Sequence, residues 1–314
     1  MYRRPPRIHW SRQGPHRLAV QVTALSRPQR GFESRWGHGR LAQLGERLVY
    51  TQEVGGSIPS PPTSFKDRTR GVEYRAVATA PQEITGWRQR LPRQGPWDRV
   101  ELLLGFCEGK RVVHVGFVDE RRMETKLEEG KWLHARLAGV ADSIVGLDLA
   151  DEGVEWARQQ GFEAHAVDAQ SPEAVAALGL EPADVVVAGE IIEHLDAPGP
   201  FLRAMRELLK PDGLLVVTTP NAYRLLNFLA PASGSELVHP DHTAWHSPHT
   251  LRNLLERNGW AVEGMAYYQN PAPRLGGVVG PIVRGARAVF VTFGRLLPYW
   301  CDGLVAWARP AVGR

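Results

Sequence analysis

From about residue 96 onward, short runs of apolar and β-branched residues alternate with stretches whose apolar positions recur at helical spacing. This alternation is typical of α/β proteins, in which helical crossovers join parallel strands. The run over 183–189 is almost wholly apolar, as expected of a strand that is covered on both faces. The pattern predicts five strands, over 111–117, 143–148, 163–168, 183–189 and 214–220.

Helical segments flank and join these strands, and four crossovers imply a doubly wound, mostly parallel sheet. The predicted helices lie over 96–108, 131–141 and 198–209, and two more begin near Asp151 and at Ser171. Ser171 and Pro172 have the residue types of a helix cap and a first helical turn. The sequence Lys210-Pro-Asp-Gly213 indicates a turn before the fifth strand. The remaining elements are a helix over 248–258, a strand over 260–268, a helical insertion over 279–296 and a last strand over 303–309.

The chain has 314 residues, of which 43% are hydrophobic and 23% charged, enough for one large domain or two small ones. Its two cysteines, Cys107 and Cys301, cannot build a disulfide framework or a four-thiolate zinc site, and we expect inert thiols in a reducing compartment. The sequence contains no run of about 18 uncharged apolar residues and no signal-peptide pattern. We therefore expect a soluble cytoplasmic protein.

The net charge of +4 is unevenly distributed along the chain. Residues 1–71 contain 13 Lys or Arg and four acids, a net charge of +9, whereas 72–314 carry a net charge of −5. The acidic balance of the larger part argues against binding to a nucleic-acid backbone.

Residues 1–71 keep neither a helical nor a strand period, so we expect a disordered basic segment. Three interpretations are open: a basic arm that binds nucleic acid, a transit peptide, or sequence that was never selected to fold. Residues 30–66 resemble a translation through a transfer-RNA gene, which favours the third interpretation. Val72 and Val77 are then candidate start positions.

The sequence therefore divides into three parts. Residues 1–71 are the basic segment, 72–95 are expected to form a linker or an N-terminal helical extension, and 96–314 form one domain. The helical insertion of that domain is bounded by 270–300.

Two aspartates follow successive strands of the predicted sheet, whose ligands should bind beyond the carboxyl ends of its strands. Asp148 ends the second strand, where a carboxylate can accept hydrogen bonds from both hydroxyls of a ribose. Asp168 ends the third strand, where an acid can meet an adenine amino group. Either residue alone is also typical of a turn or a helix cap, but the pair favours a nucleoside site.

The segment over 96–310 resembles the class I S-adenosylmethionine-dependent methyltransferases that act on small molecules. The resemblance rests on six motifs: VGLDLA at 145–150, EAHAVDAQ at 163–170, ADVVVAGEIIEHL at 183–195, LLKPDGLLVVTTPN at 208–221, HSPHTLRNLLERNGW at 246–260 and DGLVAWAR at 302–309. It implies a seven-stranded Rossmann-like sheet with a final antiparallel strand. It also implies S-adenosylmethionine as cofactor and a small-molecule acceptor.

By this resemblance, Asp148 would hold the ribose, Asp168 and Ala169 would flank adenine, and 188–190 would line the methionine end. The implied cofactor-binding residues are Gly116, Asp119, Asp148, Leu149, Asp168, Ala169, Ala188, Gly189 and Glu190.

The first loop departs from the family pattern of an acid followed by Gly-x-Gly-x-Gly, which lets the cofactor lie close to the backbone. Gly116 is retained, His114 replaces the acid, and Phe117 puts bulk where a small residue is expected. The longer interval before Asp148 predicts an inserted loop or turn of helix. Either Asp119 or another acid reaches the cofactor's ammonium group, or the fold has lost the cofactor. A nicotinamide cofactor is disfavoured because Gly-x-Gly-x-x-Gly is missing.

Glu190, Glu193 and His194 follow the fourth strand with a spacing that can bring two carboxylates and an imidazole to one side of a helical turn. Some quinone-type O-methyltransferases hold a divalent metal at the matching positions, whereas the family at large uses them as structural groups. We predict no metal here. Acid or base chemistry by Glu190 or His194 is a second alternative.

A second polar cluster, which includes His239, Asp241, His242 and His246, follows the fifth strand. An imidazole there can act as a general base toward an acceptor hydroxyl, and the alternative is an exposed turn. The spacing fits no common zinc pattern. The candidate catalytic residues are Glu190, His194, His242 and His246.

The insertion over 279–297 would form a basic amphipathic helix, suited to a lid over the substrate or to weak contact with a membrane surface. Two functions from different classes are open. One is methyl transfer to an oxygen of a sugar, phenol or quinone-like compound. The other is a catalytically silent relative with a binding or assembly role.

Overall fold

The structure, a computed structural model, describes residues 88–119, 122–270 and 297–311, and the backbone of the strands Ser64–Asp67, Val72–Arg75 and Glu83–Thr85. The predicted insertion over 279–296 lies outside these residues, as does the basic segment apart from its strand at 64–67. Within 72–95, where a linker or helical extension is expected, the described residues include three short strands. Val72–Arg75 pairs antiparallel with Ser64–Asp67, and Glu83–Thr85 pairs antiparallel with Arg88–Gln89.

A seven-stranded mixed sheet forms the centre of the domain, which confirms the predicted α/β fold. Its strands are β1 (Arg111–Val115), β2 (Ser143–Asp148), β3 (Glu163–Ala166), β4 (Ala183–Gly189), β5 (Leu209–Pro220), β6 (Trp260–Tyr268) and β7 (Gly303–Pro310). The spatial order is β6-β7-β5-β4-β1-β2-β3. The first five strands are parallel, and β7 is antiparallel to both of its neighbours.

Eight α-helices lie in the described part of the chain. They are α1 (Arg99–Cys107), α2 (Met123–Glu128), α3 (Leu133–Ala138), α4 (Asp151–Gln159), α5 (Pro172–Ala177), α6 (Pro198–Glu207), α7 (Leu225–Leu229) and α8 (Pro248–Arg257). The predicted cap is present, since the Ser171 hydroxyl accepts a hydrogen bond from the Ala174 N–H. The helix α2 is the extra turn of helix that the long first loop predicts. Among these described helices, none combines the length and the apolar character that crossing a bilayer would require.

The strand β4 shows why its sequence is apolar throughout. On one face, Val185 and Val187 pack with Leu103 of α1. On the other face, Val186 packs with Phe201 of α6, and both side chains are fully buried. A buried side chain of this size contributes about 1.5–3 kcal/mol relative to an exposed one.

The predicted turn at 210–213 is accommodated inside β5. The β4 residues Ala183 and Val185 pair with Leu209 and Leu214, so the intervening residues form a bulge and the strand begins earlier than predicted.

Hydrogen bonds of Asn221, which follows β5, and of Asp302 fix the chain segments on either side of residues 271–296. The Asn221 side-chain amide donates to the carbonyl oxygens of Tyr299, at 2.8 Å, and Cys301, at 2.9 Å. The Asn270 N–H donates to the Asp302 carboxylate at 3.1 Å. Residues 270 and 302 are therefore held side by side where β6 ends and β7 begins.

Both cysteines are buried and unpaired, as the sequence predicts. Burial raises the pKa of the Cys107 thiol to about 12, so this thiol stays protonated and inert near pH 7.

Candidate active site

The strand order reverses between β1 and β4, since the chain moves outward to β2 and β3 on one side and to β5 on the other. Loops that leave the carboxyl ends of β1 and β4 therefore diverge and open a crevice. Most of the predicted site residues lie on the loops that follow β1, β2, β3 and β4.

The first loop is fixed by backbone geometry. Gly116 has φ +70°, a left-handed conformation that glycine adopts without strain. A Cβ atom at this position would lie 3.2 Å from Cδ1 of Ile191. The Gly116 N–H donates to the Leu147 carbonyl oxygen at 2.9 Å, which ties the loop to β2.

Phe117 does not put its bulk into the crevice, contrary to what the sequence suggests. Its side chain is only 3% exposed and packs against the rings of Trp132 and His134. The indole N–H of Trp132 donates to the Phe117 carbonyl oxygen at 3.1 Å. The Phe117 ring also fills the space beside Gly146, because a Cβ atom at Gly146 would lie 2.8 Å from this ring. The atypical loop is thus a well-packed variant.

His114, at the position of the family's acid, forms a buried pair with His134, and their Nδ1 atoms are 3.2 Å apart. Burial lowers the pKa of His134 to about 4. Burial and the neighbouring His134 lower the pKa of His114 well below its ordinary value. Both rings are neutral near pH 7, so one Nδ1–H donates to the other Nδ1.

Asp148 lies at the tip of β2, as predicted. Its carboxylate accepts hydrogen bonds from the backbone of the loop after β1 and from the backbone of the loop after β2. Oδ2 accepts from the Val118 N–H at 2.9 Å, and Oδ1 accepts from the Ala150 N–H at 3.1 Å. Asp148 therefore anchors the first loop.

The tip of β3 lies beside the tip of β2, because Asp148 pairs with Ala166. The carbonyl oxygen of Asp148 also accepts a hydrogen bond from the Val167 N–H at 2.8 Å. Asp168 is exposed and accepts from the Gln170 N–H at 2.8 Å, an Asx turn. Ala169 beside it is buried, and Leu149 is 71% exposed, which is unusual for a large apolar side chain. One exposed apolar side chain, that of Leu149, and the carboxylates of Asp148 and Asp168 thus follow these two strands.

Glu190 follows Ala188 and Gly189 at the mouth of β4 in a strained conformation, since its φ is +56°. A non-glycine residue in this region is uncommon and often marks a functional position. Its Oε1 accepts a hydrogen bond from the Tyr268 hydroxyl at 2.6 Å, and burial together with this carboxylate raises the pKa of Tyr268. Tyr268 thus fixes the direction of the Glu190 carboxylate.

Arg99 completes this part of the site and was missed by sequence reasoning. Its Nε–H donates to the Thr218 hydroxyl at 3.2 Å, and its guanidinium lies 5.7 Å from the centre of the Tyr268 ring. A Cβ at Gly189 would lie 2.8 Å from Nη2, so glycine leaves the space that the guanidinium occupies. One sequence signal could have indicated this residue, since Arg99 is a basic residue near the start of the helix that is predicted before β1.

Glu193 and Glu190 have different partners. Glu193 is 1% exposed, and its Oε2 accepts from the Thr219 hydroxyl at 3.0 Å. Its Oε1 is buried without a hydrogen-bond partner among the described residues. Burial first, and the Glu190 charge second, raise the pKa of Glu193 to about 8. This carboxyl is turned into the sheet, as a structural group would be.

His194 contacts the second predicted cluster. Its ring centre lies 4.5 Å from that of His242 and 5.5 Å from that of His239, and the latter two are 5.6 Å apart. Burial is the main cause that lowers the pKa of His194 and His242, and repulsion between the imidazoles adds to it. Near pH 7 these two imidazoles are therefore mostly neutral. The three rings form a group that we call the imidazole cluster.

Backbone contacts hold the imidazole cluster together. The Thr243 N–H donates to the Glu193 carbonyl oxygen at 2.8 Å, and the Thr243 hydroxyl bonds to the Leu195 carbonyl oxygen at 2.9 Å. The loop after β5 is thereby attached to the 3₁₀ turn Ile192–His194 after β4. Sequence spacing could not reveal this, because the third imidazole comes from a distant segment.

Two further candidates lie apart from the imidazole cluster. His246 is 7% exposed, bonds to the backbone of Ile192, and has a buried Nε2 without a partner among the described residues. Burial lowers the pKa of its imidazole. Asp119 pairs with Lys126 of α2 at the outer end of the first loop.

Comparison with known proteins gives one family match and a set of curated relatives. Residues 128–264 match a family model described as a methyltransferase domain. The mitochondrial ubiquinone biosynthesis O-methyltransferase of Bos taurus is 30% identical over 153 residues, which cover 44% of this chain and 41% of the relative. The ubiquinone biosynthesis O-methyltransferase of Caulobacter vibrioides is 33% identical over 147 residues, which cover 43% and 57%. The chain thus spans about half the length of these relatives.

Solved structures are similar at lower identity. A SAM-dependent methyltransferase from Archaeoglobus fulgidus is 19% identical with a TM-score of 0.42, over 65% of this chain and 87% of that one. The [4+2]-cyclase SpnF is 20% identical with a TM-score of 0.43, over 68% and 81%.

Proposed function

We propose that the chain is a class I S-adenosylmethionine-dependent methyltransferase that methylates a hydroxyl oxygen of a small, quinone-like aromatic compound. The oxygen acceptor and the quinone-like ring follow from the curated relatives, which are ubiquinone biosynthesis O-methyltransferases. The observation that carries the proposal is the arrangement of charges around the crevice. Asp148 and the exposed Leu149 lie at the tip of β2, and Arg99 and Glu190 lie at the mouth of β4.

The residues of the crevice fit the cofactor. The Asp148 carboxylate suits the ribose hydroxyls, and Leu149 offers an apolar face to adenine. The Arg99 guanidinium beside Gly189 suits the carboxylate at the methionine end. Glu190, also at the mouth of β4, suits the cofactor's ammonium group, which the family's missing acid would otherwise bind. Asp168 and Ala169 extend the adenine side.

When bound, the cofactor supplies a methyl group that its sulfonium has already activated. The remaining work of the protein is alignment and removal of a proton from the acceptor hydroxyl. The neutral imidazole of His246 can take that proton, because Tyr268 and the ammonium group occupy the Glu190 carboxylate. The other two candidates, His194 and His242, belong to the imidazole cluster.

The test is a binding and turnover experiment with the full chain. We expect saturable binding of S-adenosylmethionine in the micromolar range, and methylation of catechols and hydroquinones in preference to sugars. Asp148→Ala should weaken cofactor binding at least tenfold, whereas the control Asp142→Ala, an exposed site before β2, should not. Absence of binding at millimolar cofactor would contradict the proposal and favour a silent relative. Binding without methylation of any phenolic acceptor would contradict only the substrate class.

A further inference from the structure

We propose that the imidazole cluster of His194, His239 and His242 is a binding site for a divalent transition-metal ion of the zinc type. Each residue offers one ring nitrogen, and these atoms lie within 4.8 Å of one another. Imidazole is a preferred ligand of zinc, copper and nickel ions, whereas magnesium and calcium prefer oxygen. Three imidazoles without thiols leave a fourth position for water or another ligand.

An unpartnered nitrogen in the imidazole cluster points independently to a ligand. Nδ1 of His242 is buried and has no hydrogen-bond partner among the described residues. Buried polar atoms of proteins are nearly always paired with protein, water or an ion. A metal ion between the rings would provide the missing partner.

Asp241 supports two of the three rings from outside. The His194 ring hydrogen-bonds the Asp241 backbone. Nδ1 of His239 accepts a hydrogen bond from the Asp241 N–H at 3.3 Å, and the Asp241 carboxylate Oδ2 lies 3.7 Å from the same atom. Metal binding through Nε2 requires the other tautomer, in which Nδ1–H turns from the backbone N–H to this carboxylate. Metal-ligating histidines commonly have such a carbonyl or carboxylate at the other ring nitrogen.

The surrounding charge also suits a cation. The carboxylates of Glu190 and Asp241 both act electrostatically on His194 and His242. The ligand set is nevertheless distinct from a Glu-Glu-His set, because Glu190 binds Tyr268 and Glu193 binds Thr219. The cluster uses imidazoles from the two loops that Thr243 joins.

The site needs a small closure to bind metal. Tetrahedral nitrogen ligands at about 2.0–2.1 Å from zinc are about 3.4 Å apart, so ring nitrogens that lie within 4.8 Å of one another must approach by at most about 1.4 Å. The His239 side chain is 58% exposed and can rotate to supply this movement.

The experiment is a calorimetric titration of the untagged full chain with zinc chloride, without cofactor or acceptor. We expect one saturable equivalent that is lost or weakened at least tenfold in both His239→Ala and His242→Ala. The control His249→Ala, an exposed histidine of α8 outside the cluster, should bind like the unmodified protein. Cobalt(II) in place of zinc should give the visible absorption of a four-coordinate site.

Binding that is unchanged in both cluster variants, or absent from the unmodified protein, would overturn the proposal. Circular dichroism of the variants shows whether they fold, and His239 is exposed enough that its replacement leaves the core intact. Because neither cofactor nor acceptor is present, failure of methyl transfer and failure of metal binding are separate outcomes.

Discussion

The backbone N–H of Val118 donates to Oδ2 of Asp148 at 2.9 Å, which joins the first loop to the carboxylate predicted to bind ribose. The loop keeps only Gly116 of the glycines that the family uses, yet this bond fixes it against β2. Val118 also packs closely on α4, since a Cβ at Gly153 would lie 2.4 Å from Cγ1 of Val118. Loop position and cofactor affinity should therefore change together.

Gly116→Ala tests this coupling. The substitution places a side chain at φ +70° and 3.2 Å from Ile191, so we expect a loss of about 1–2 kcal/mol in the free energy of unfolding and weaker cofactor binding. Gly179→Ala is the matched control, with φ +61° and open space around its Cβ. It should cost about 1 kcal/mol and leave cofactor affinity unchanged. Equal affinities in both variants would show that the loop does not shape the site.

The His114–His134 pair should make stability depend on pH. The His134 pKa is about 4 in the folded protein against an ordinary 6.5, so between these values the unfolded chain binds more protons. The free energy of unfolding therefore rises with pH across this window. The contribution of His134 to the free energy of unfolding is fully present above pH 6.5, and it decreases by about 3 kcal/mol as the pH drops to 4.

Urea denaturation of the unmodified chain at several pH values measures this slope. Replacing both histidines, as in His114→Leu with His134→Leu, should flatten it, whereas the exposed His249→Gln should not. A slope that survives in the double variant would assign the effect to other groups.

Arg99 is expected to recognise the carboxylate of the cofactor. Arg99→Met should weaken binding of S-adenosylhomocysteine about 10- to 100-fold, because a charge-assisted hydrogen bond is worth about 1.5–3 kcal/mol. Binding of 5′-methylthioadenosine, which lacks the amino-acid end, should change little. Arg136→Met, which removes an ion pair with Glu101 on α1, serves as the control. An equal loss of affinity for both nucleosides would show that Arg99 does not bind the cofactor's carboxylate.

Tyr268 and Tyr267 provide a matched pair of substitutions. Tyr268→Phe removes the hydrogen bond to Glu190, so we expect a lower kcat and a loss of about 1–2 kcal/mol in stability. The Tyr267 hydroxyl is buried without a partner among the described residues, so Tyr267→Phe should be neutral or slightly stabilising. Thermal unfolding and steady-state kinetics of both variants measure the difference. Identical behaviour would argue against a role for the Tyr268–Glu190 bond.

The sequence predicted the strands well because apolar runs report burial directly. The bounds of β2, β4 and β6 agree with the predicted ranges. The bulge in β5 was read as a turn, because Pro and Gly mark both features and periodicity cannot separate them. Residue type also cannot show where a side chain points, and Phe117 fills the core instead of the crevice.

The site was predictable where one residue follows one strand, as for Asp148 and Glu190. Features that depend on contacts between distant segments were not. Arg99 of α1 donates to Thr218 at the carboxyl end of β5. The His194 ring contacts the His242 ring only because the loops after β4 and β5 are hydrogen-bonded to each other. No spacing rule along one chain encodes such contacts.

The hydrogen bonds of Asn221 and Asp302 have a consequence for how this protein can diversify. They fix Asn270 on one side of residues 271–296 and Tyr299, Cys301 and Asp302 on the other. A change in the length or sequence between these two positions should therefore leave the pairing of β6 with β7 intact. New sequence could be inserted there, by evolution or by design, at little cost in the free energy of unfolding.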